Sequence, residues 1–312
     1  MFNNKNIFIA LTYNCNAFCK KCMTRYHKNR IYEMPSYILN RILNLCKRNS
    51  YSGLISVGTG EPLLYNEIEN FVENFLDIND KIKLRLLTNG MLLSNDLNPI
   101  LFDKRCILGV TMDAFYQSSL NDLQKGVDIE RVKQNVINVI KKYGSSSLYL
   151  NFTVYNSNID QIMPFCKFAV ENGIKDIYLT ELKVFSGFEE EVGKYKIVHD
   201  DEFYDIVKQA KEYLELNNIS TKGIDIIQKN NRTECYKNDL ASPIIDVNGN
   251  ISFCSGREDI YVGNIMDEDI VEKWNSFKLK LICSNNTWCE NCYDIPMENG
   301  IYNLPRTIKK GE

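Results

Sequence analysis

Ile7-Phe-Ile-Ala-Leu11 runs directly into Thr12-Tyr-Asn-Cys-Asn-Ala-Phe-Cys-Lys-Lys-Cys22, and this stretch decides the fold. The first five residues read as a buried strand. The loop that follows carries Cys15, Cys19 and Cys22, separated by three residues and then two. A cubane iron–sulfur cluster normally takes four thiolates, so a compact loop of three cysteines can leave one iron open to a small molecule. Short cysteine clusters also serve zinc, which usually needs a fourth Cys or His nearby. The nearest histidine, His27, lies in the basic run Arg25-Tyr-His-Lys-Asn-Arg30 and reads as a surface residue. A strand end feeding a loop is where parallel α/β folds place their chemistry.

The alternation continues outward from this point. A helix around residues 37–47 precedes Leu54-Ile-Ser-Val-Gly-Thr-Gly-Glu-Pro-Leu-Leu64, a strand and a glycine loop whose Gly58 and Gly60 let the backbone approach a ligand closely. Ile82-Lys-Leu-Arg-Leu-Leu-Thr-Asn-Gly90 is a third strand closed by Asn-Gly. Cys106–Asp113, Leu148–Tyr155 and Asp176–Leu182 read as a fourth, fifth and sixth. Helical patterns lie between them, over Val127–Tyr143 with Val132, Val136, Val139 and Ile140 on one face, and over Asp160–Asn172 before Gly173. Strands alternating with helices of this length imply βαβ units and a parallel sheet.

The three-then-two cysteine spacing after a first strand, together with the Gly-Thr-Gly-Glu-Pro loop, resembles the radical S-adenosylmethionine (SAM) enzymes. The resemblance implies an α/β fold, a partial (β/α)6 barrel of the TIM type. It implies a SAM-binding [4Fe-4S] cluster on Cys15, Cys19 and Cys22. It places SAM against Gly58, Thr59, Gly60, Glu61 and Pro62, with the Glu61 carbonyl on the amino group, and adds Thr88 and Asn89 from the third strand. In that family the residue before the third cysteine is commonly aromatic and packs near the adenine. Here it is Lys21, and Leu179 of the sixth strand is the expected replacement.

A second region starts after Ser186-Gly-Phe-Glu-Glu-Glu-Val-Gly-Lys194, read as a linker. A helix follows from Asp200 to about Asn217, with Phe203, Ile206, Val207, Ala210 and Leu214 on one side. Then come Cys235, thirteen residues, Gly249, four residues and Cys254. Pro243–Cys254 between them reads as a β-hairpin with an Asn-Gly turn. A helix carrying Trp274 and Phe277 leads to Cys283 and to Cys289-Glu-Asn-Cys292.

This array resembles the twitch domain, the shortened relative of the SPASM domain. The resemblance implies one auxiliary [4Fe-4S] cluster on Cys235, Cys254, Cys289 and Cys292. A structural zinc site is the alternative for the same four thiolates. Cys283 is left over, as a helix-end thiol, an exchangeable ligand or a hydrogen-atom donor to a substrate radical. The expected division is residues 1–186 as the core, 187–230 as linker and bridging helix, and 231–312 as a small C-terminal β-hairpin and helix iron–sulfur domain.

Composition bounds the alternatives. The chain has 312 residues, 44% hydrophobic and 25% charged, which is ordinary for a globular protein with a large core. A net charge of -3 offers no general basic field, so nucleic acid is not an expected partner. No apolar run reaches the length of a membrane span or a secretory signal, so no membrane is expected and the cytoplasm is the expected location. Eleven cysteines in a reducing compartment point to metal sites rather than disulfides, while Cys46, Cys106 and Cys166 sit in apolar patterns and read as core thiols.

The resemblance implies reductive cleavage of SAM to methionine and a 5′-deoxyadenosyl radical, which takes hydrogen from an unreactive C–H bond. Asp113, Asn151 and Glu181, at the carboxyl ends of strands, are the polar candidates to aim the substrate; ordinary strand-end hydrogen bonding is the competing reading of each. The expected substrate is a ribosomally made peptide that is crosslinked or epimerised. The alternative is an amino-sugar or cyclitol alcohol oxidised to a ketone. The chain begins almost at the first strand, so no leader-binding domain is expected ahead of it. Epimerisation would need a thiol near the substrate, and Ser255 follows Cys254. A flavodoxin or ferredoxin-type protein is the expected reductant. A reading of another class, a non-catalytic iron–sulfur electron carrier or sensor, has no use for the Gly58–Pro62 loop.

Overall fold

The computed structural model describes residues 6–22, 32–120, 123–182, 184–185, 189–222, 242–253, 261–283 and 301–302. Cys235, Cys254, Cys289, Cys292, His27 and Ser255, and the side chain of Cys283, lie outside what it describes.

The chain opens with strand β1 (Asn6–Ile9) and the short β2 (Phe18–Cys19). Helix α1 (Ser36–Arg48) leads to β3 (Leu54–Val57), α2 (Ile68–Leu76) to β4 (Lys83–Thr88), and β5 (Cys106–Thr111) follows. Next come α3 (Gln117–Leu120), β6 (Gln124–Lys125), α4 (Ile129–Tyr143), β7 (Leu148–Val154), α5 (Ile162–Glu171) and β8 (Asp176–Glu181). The remainder comprises β9 (Val184–Phe185), α6 (Glu189–Val192), α7 (Asp201–Leu216), β10 (Ser220–Lys222), β11 (Ile244–Ile245), β12 (Asn250–Ser252), β13 (Tyr261–Asn264), α8 (Ile270–Cys283) and β14 (Ile301–Tyr302).

Local chemistry explains the boundaries. Asp128 caps α4 by accepting the Arg131 N–H, and Asp200 caps α7 by accepting the Phe203 N–H. Gly144 (φ 85°) ends α4 and Gly173 (φ 68°) follows α5, in the left-handed region that glycine enters without strain. One face of α4 buries Ile129, Val132, Val136 and Val139. Asn248-Gly249 makes the hairpin turn between β11 and β12, with the Asp246 carboxylate accepting the N–H groups of Asn248 and Asn250.

The ten-stranded sheet runs β10-β8-β7-β5-β4-β3-β1-β11-β12-β13. From β10 to β11 every pairing is parallel; β12 and β13 are antiparallel additions. The sheet is open, as a partial barrel requires, with β10 and β13 at its edges among the described residues. All six expected barrel strands are present.

Two segments beyond the expected core pack onto it. The helix expected to bridge domains, α7, buries Phe203, Val207, Ala210 and Leu214 in the main hydrophobic core, and β10 directly after it pairs with β8. The C-terminal hairpin likewise joins the main sheet, with Phe8 opposite Ile244 and Ile9 opposite Ile245. Its Ile251, Phe253, Ile265 and Trp274 belong to the same core. A short two-stranded hairpin is marginal alone, and docking onto β1 satisfies its outer hydrogen bonds.

Strand alternation separates two faces. On β7, Leu150, Phe152 and Val154 are fully buried, and Phe152 packs on Phe165 of α5, so this parity faces the helices. Tyr149, Asn151 and Thr153 face the bore. Toward the amino ends the bore is filled by Tyr149 against Tyr178, ring centroids 5.0 Å apart, with the Arg85 guanidinium 5.5 Å and 5.9 Å from the two rings. A Cβ on Gly109 would overlap the Tyr149 ring. Gly109→Ala therefore displaces this floor, and urea denaturation is expected to record a loss of about 1–3 kcal/mol.

Candidate active site

The carboxyl ends of the strands gather the cysteine loop, the Gly58–Pro62 loop, the Thr88–Gly90 turn and Asp113. Gly60 (φ 65°) lies so close to the Thr12 and Asn14 carbonyls that no Cβ fits. The Glu61 N–H then donates to the Asn14 carbonyl at 2.8 Å. The glycine loop and the cysteine loop are thus joined backbone to backbone.

The Glu61 side chain is fully buried and accepts three hydrogen bonds. Oε1 takes the Thr88 hydroxyl at 2.7 Å and the Leu63 N–H at 3.1 Å; Oε2 takes the Asn89 N–H at 2.8 Å. Burial pushes this carboxyl above the usual carboxylate range and the three donors oppose that shift. Its carbonyl accepts the Leu64 N–H at 2.9 Å within the 3₁₀ turn Pro62–Leu64, leaving one lone pair for a ligand. Thr88 also accepts the Gly90 N–H. Asn89 donates to Asn16 Oδ1 at 2.6 Å and lies 3.9 Å from Cys15 Sγ. Gly58 abuts Leu87, 3.2 Å from where a Cβ would stand, and Thr59 lies in the bend between the two glycines.

Cys15 is exposed, Cys19 and Cys22 half-buried, and all three are free thiols. The Ala17 N–H points at Cys15 Sγ at 3.4 Å, an amide-to-sulfur contact that favours a thiolate. Each sulfur lies within the electrostatic reach of another of the triad. Burial raises the Cys15 and Cys19 thiols; at Cys19 the Asp113 charge raises further and Lys21 opposes it. Ligation to iron would hold these sulfurs as thiolates. Among the described residues no three His, Cys, Asp or Glu side chains converge as one metal ion would need. A cubane takes its thiolates at separate corners, so the loop fits a cluster by its donor set and amide contacts. Cys46, Cys106 and Cys166 differ: burial pushes each up to about 12, and they stay protonated core thiols at neutral pH.

The loop's second half is held from below. β2 pairs antiparallel with β6, Phe18 opposite Lys125 and Cys19 opposite Gln124, and the Lys20 N–H donates to the Leu123 carbonyl. Lys21 reaches into the bore, 2.8 Å from Asp113 Oδ2 and 2.9 Å from Thr153 Oγ1. Asp113 is therefore at the site, tied to the cysteine loop. Asn151 shares the bore-facing parity, opposite Thr111 on β5 and Tyr178 on β8.

Two expected site residues lie elsewhere. Leu179 pairs with Phe152 and is fully buried on the helix-facing side, so it does not line the bore; Thr180 has the bore-facing parity. Glu181 shares the parity of Leu179 and binds His199 Nε2 at 2.8 Å, while His199 Nδ1 lies 3.1 Å from the Tyr204 hydroxyl. It tethers β8 to the start of α7.

Residues 9–180, more than half of the chain, match the Radical SAM superfamily. The chain belongs to this superfamily. It is an enzyme family that binds SAM and a [4Fe-4S] cluster. GTP 3′,8-cyclase of Clostridium perfringens (strain 13) is 24% identical over 209 residues, covering 66% of this chain and 62% of that one. A probable GTP 3′,8-cyclase of Sulfurisphaera tokodaii is 24% identical over 256 residues, covering 81% and 76%. In structure, Streptococcus suis SuiB bound to S-adenosylmethionine superposes with a TM-score of 0.70 at 18% identity, over 98% of this chain and 77% of that one. The anSMEcpe structure with AdoMet and Cp18Cys peptide gives 0.69 at 20% identity, over 95% and 92%. At these identities the structural likeness is one of fold. Among the described residues no helix is long and apolar enough to cross a membrane.

The site's dependence on Glu61 is testable. In Glu61→Gln an amide N–H₂ would face the Asn89 N–H, donor against donor. Chemical denaturation is expected to show a loss of about 1–3 kcal/mol, with weaker SAM binding by calorimetry.

Proposed function

We propose that this radical SAM enzyme takes hydrogen from a C–H bond of a ribosomally made peptide. What supports the reading is a shared fold with peptide-bound enzymes, taken together with the C-terminal cysteine array of Cys235, Cys254, Cys289 and Cys292. The likeness of fold extends over 95–98% of the chain, to enzymes solved with bound peptides, Cp18Cys on anSMEcpe and the precursor SuiA on SuiB. The sequence likeness to two GTP 3′,8-cyclases covers 66% and 81% of the chain.

Cys15, Cys19 and Cys22 would hold the SAM-binding cluster, which when bound supplies reductive cleavage of SAM to methionine and a 5′-deoxyadenosyl radical. The Gly58–Pro62 loop would present its backbone to the SAM amino group, using the remaining lone pair of the Glu61 carbonyl. Asn151 and Asp113, on the bore-facing side, would orient the substrate, while the Tyr149–Tyr178–Arg85 floor closes the bore below them. Cys235, Cys254, Cys289 and Cys292 would hold one auxiliary [4Fe-4S] cluster as an electron acceptor. Cys283 remains a candidate hydrogen donor. A flavodoxin or ferredoxin would supply the electron.

The names of the sequence relatives favour a second reading, cyclisation of GTP. The two separate in one experiment. Reconstituted protein with dithionite and SAM is expected to release 5′-deoxyadenosine and to give a candidate peptide lighter by two hydrogens in mass spectrometry. Conversion of GTP with the peptide untouched would replace the peptide reading. Release of no 5′-deoxyadenosine would leave an electron carrier. Alanine at Cys15, Cys19 or Cys22 is expected to abolish 5′-deoxyadenosine release. Alanine at Cys289 or Cys292 should keep part of it while suppressing product, and lower the iron count; an unchanged iron count with bound zinc would mark a zinc site.

A further inference from the structure

Lys21 lies between Cys19 and Cys22, yet its side chain turns away from solvent into the bore. Its ammonium is 2.8 Å from Asp113 Oδ2 and 2.9 Å from Thr153 Oγ1, and the Asp113 side chain is only 2% exposed. Asp113 Oδ1 has no hydrogen-bond partner among the described residues. A buried carboxylate so poorly solvated depends on the neighbouring cation.

The cysteine loop is anchored in two halves. Asn14 on Glu61 and Glu33, and Asn16 on Asn89, fix the half with Cys15. Among the described residues, Lys21 is a side-chain anchor of the half with Cys19 and Cys22, bridging to β7 and to the segment just past the end of β5. The charges of Asp113 and Lys21 act on Cys19 in opposite senses. Net charge around an iron–sulfur cluster is one of the levers on its potential, because reduction adds a negative charge.

We propose that Lys21 is a positioning residue for the cluster of Cys15, Cys19 and Cys22. By holding Asp113 and Thr153 it seats the Cys19–Cys22 half of the loop, and by neutralising the buried Asp113 carboxylate it eases transfer of one electron from the reductant to the cluster. The inference rests on the triad holding a four-iron cluster. It also gives the lysine at this position a task unrelated to adenine contact.

The test is an anaerobic redox titration of full-length reconstituted protein with dithionite and mediators. It follows the paramagnetic signal that changes when SAM is added. Lys21→Met is expected to lower the reduced-to-oxidised ratio at fixed potential about tenfold, equivalent to about 59 mV for one electron. Asp113→Asn should raise the ratio, Lys21→Arg should stay nearer wild type, and Lys21→Met with Asp113→Asn should recover it. A purely structural lysine would alter iron retention and leave the ratio of the retained cluster unmoved, which would overturn the proposal. So would a double variant no better than Lys21→Met alone. If Lys21→Met holds no cluster, Asp113→Asn decides: a ratio unchanged or lowered overturns the inference. Wild-type protein without iron at the triad would overturn both this inference and the reading beneath it, whereas an intact, SAM-responsive cluster indifferent to charge would overturn this one alone.

Discussion

The buried Glu61 carboxylate is the constraint on which the site depends. Taking a carboxylate out of water is costly unless hydrogen bonds replace its hydration. Here three donors do so, two from the Thr88–Asn89 turn and one from its own 3₁₀ turn. Each hydrogen bond to a charged group contributes about 1.5–3 kcal/mol, so the end of β4 and the loop after β3 are locked as one unit. The Glu61 N–H extends the lock to Asn14, and Asn89 closes the ring on Asn16 beside Cys15. Three loops from three strands are therefore fixed by one side chain and its own backbone. The carboxylate is spent on assembly, which leaves the backbone of the loop to meet a ligand.

Around that lock the cysteine loop is not uniformly held. Its first half rests on neutral amide contacts, Asn14 to Glu33 apart, and its second half on an ion pair as well as the backbone pairing of β2 with β6. These are different kinds of anchor. Amide contacts fix geometry with little effect on local charge, whereas Lys21 and Asp113 place two opposite charges near a sulfur. Exchanging one side of that pair changes the field as well as the position, so geometry and electronics at Cys19 cannot vary independently.

What the sequence made legible follows from how local each signal is. The six strands were readable from apolar runs, α4 and α7 from the periodicity of their apolar faces, and the hairpin from Asn248-Gly249. The misplacement of Leu179 and Glu181 has a physical origin. The expectation for Leu179 came from family likeness, whereas β8 itself alternates, with Ile177 and Leu179 buried and Tyr178 and Thr180 half-buried. Alternation alone does not say which parity faces the helices; the pairing of Phe152 with Leu179 and the packing of Phe152 on α5 reveal the side. Lys21 stood out as an unexpected cation, but its partners lie on segments distant in sequence. His199, one of two histidines, carried no local signal of its contact with Glu181.

The docking of the hairpin on β1 changes how the two ends of the chain relate. β1 is the strand that launches the cysteine loop, and its other neighbour is β3, which launches the glycine loop. Phe8 and Ala10 donate their N–H groups to the Pro243 and Ile245 carbonyls. Without residues 243–245 these donors would lie on an open sheet edge, and Ile245, Ile251 and Trp274 would leave the common core. Because β1 sits between the hairpin and β3, strain at the C-terminal strands is carried by two hydrogen-bonded neighbours to both ligand-facing loops. Of the C-terminal region, the described hairpin (residues 243–253) is in this sense part of the scaffold of the first site. A substitution in that hairpin can impair SAM chemistry through packing alone.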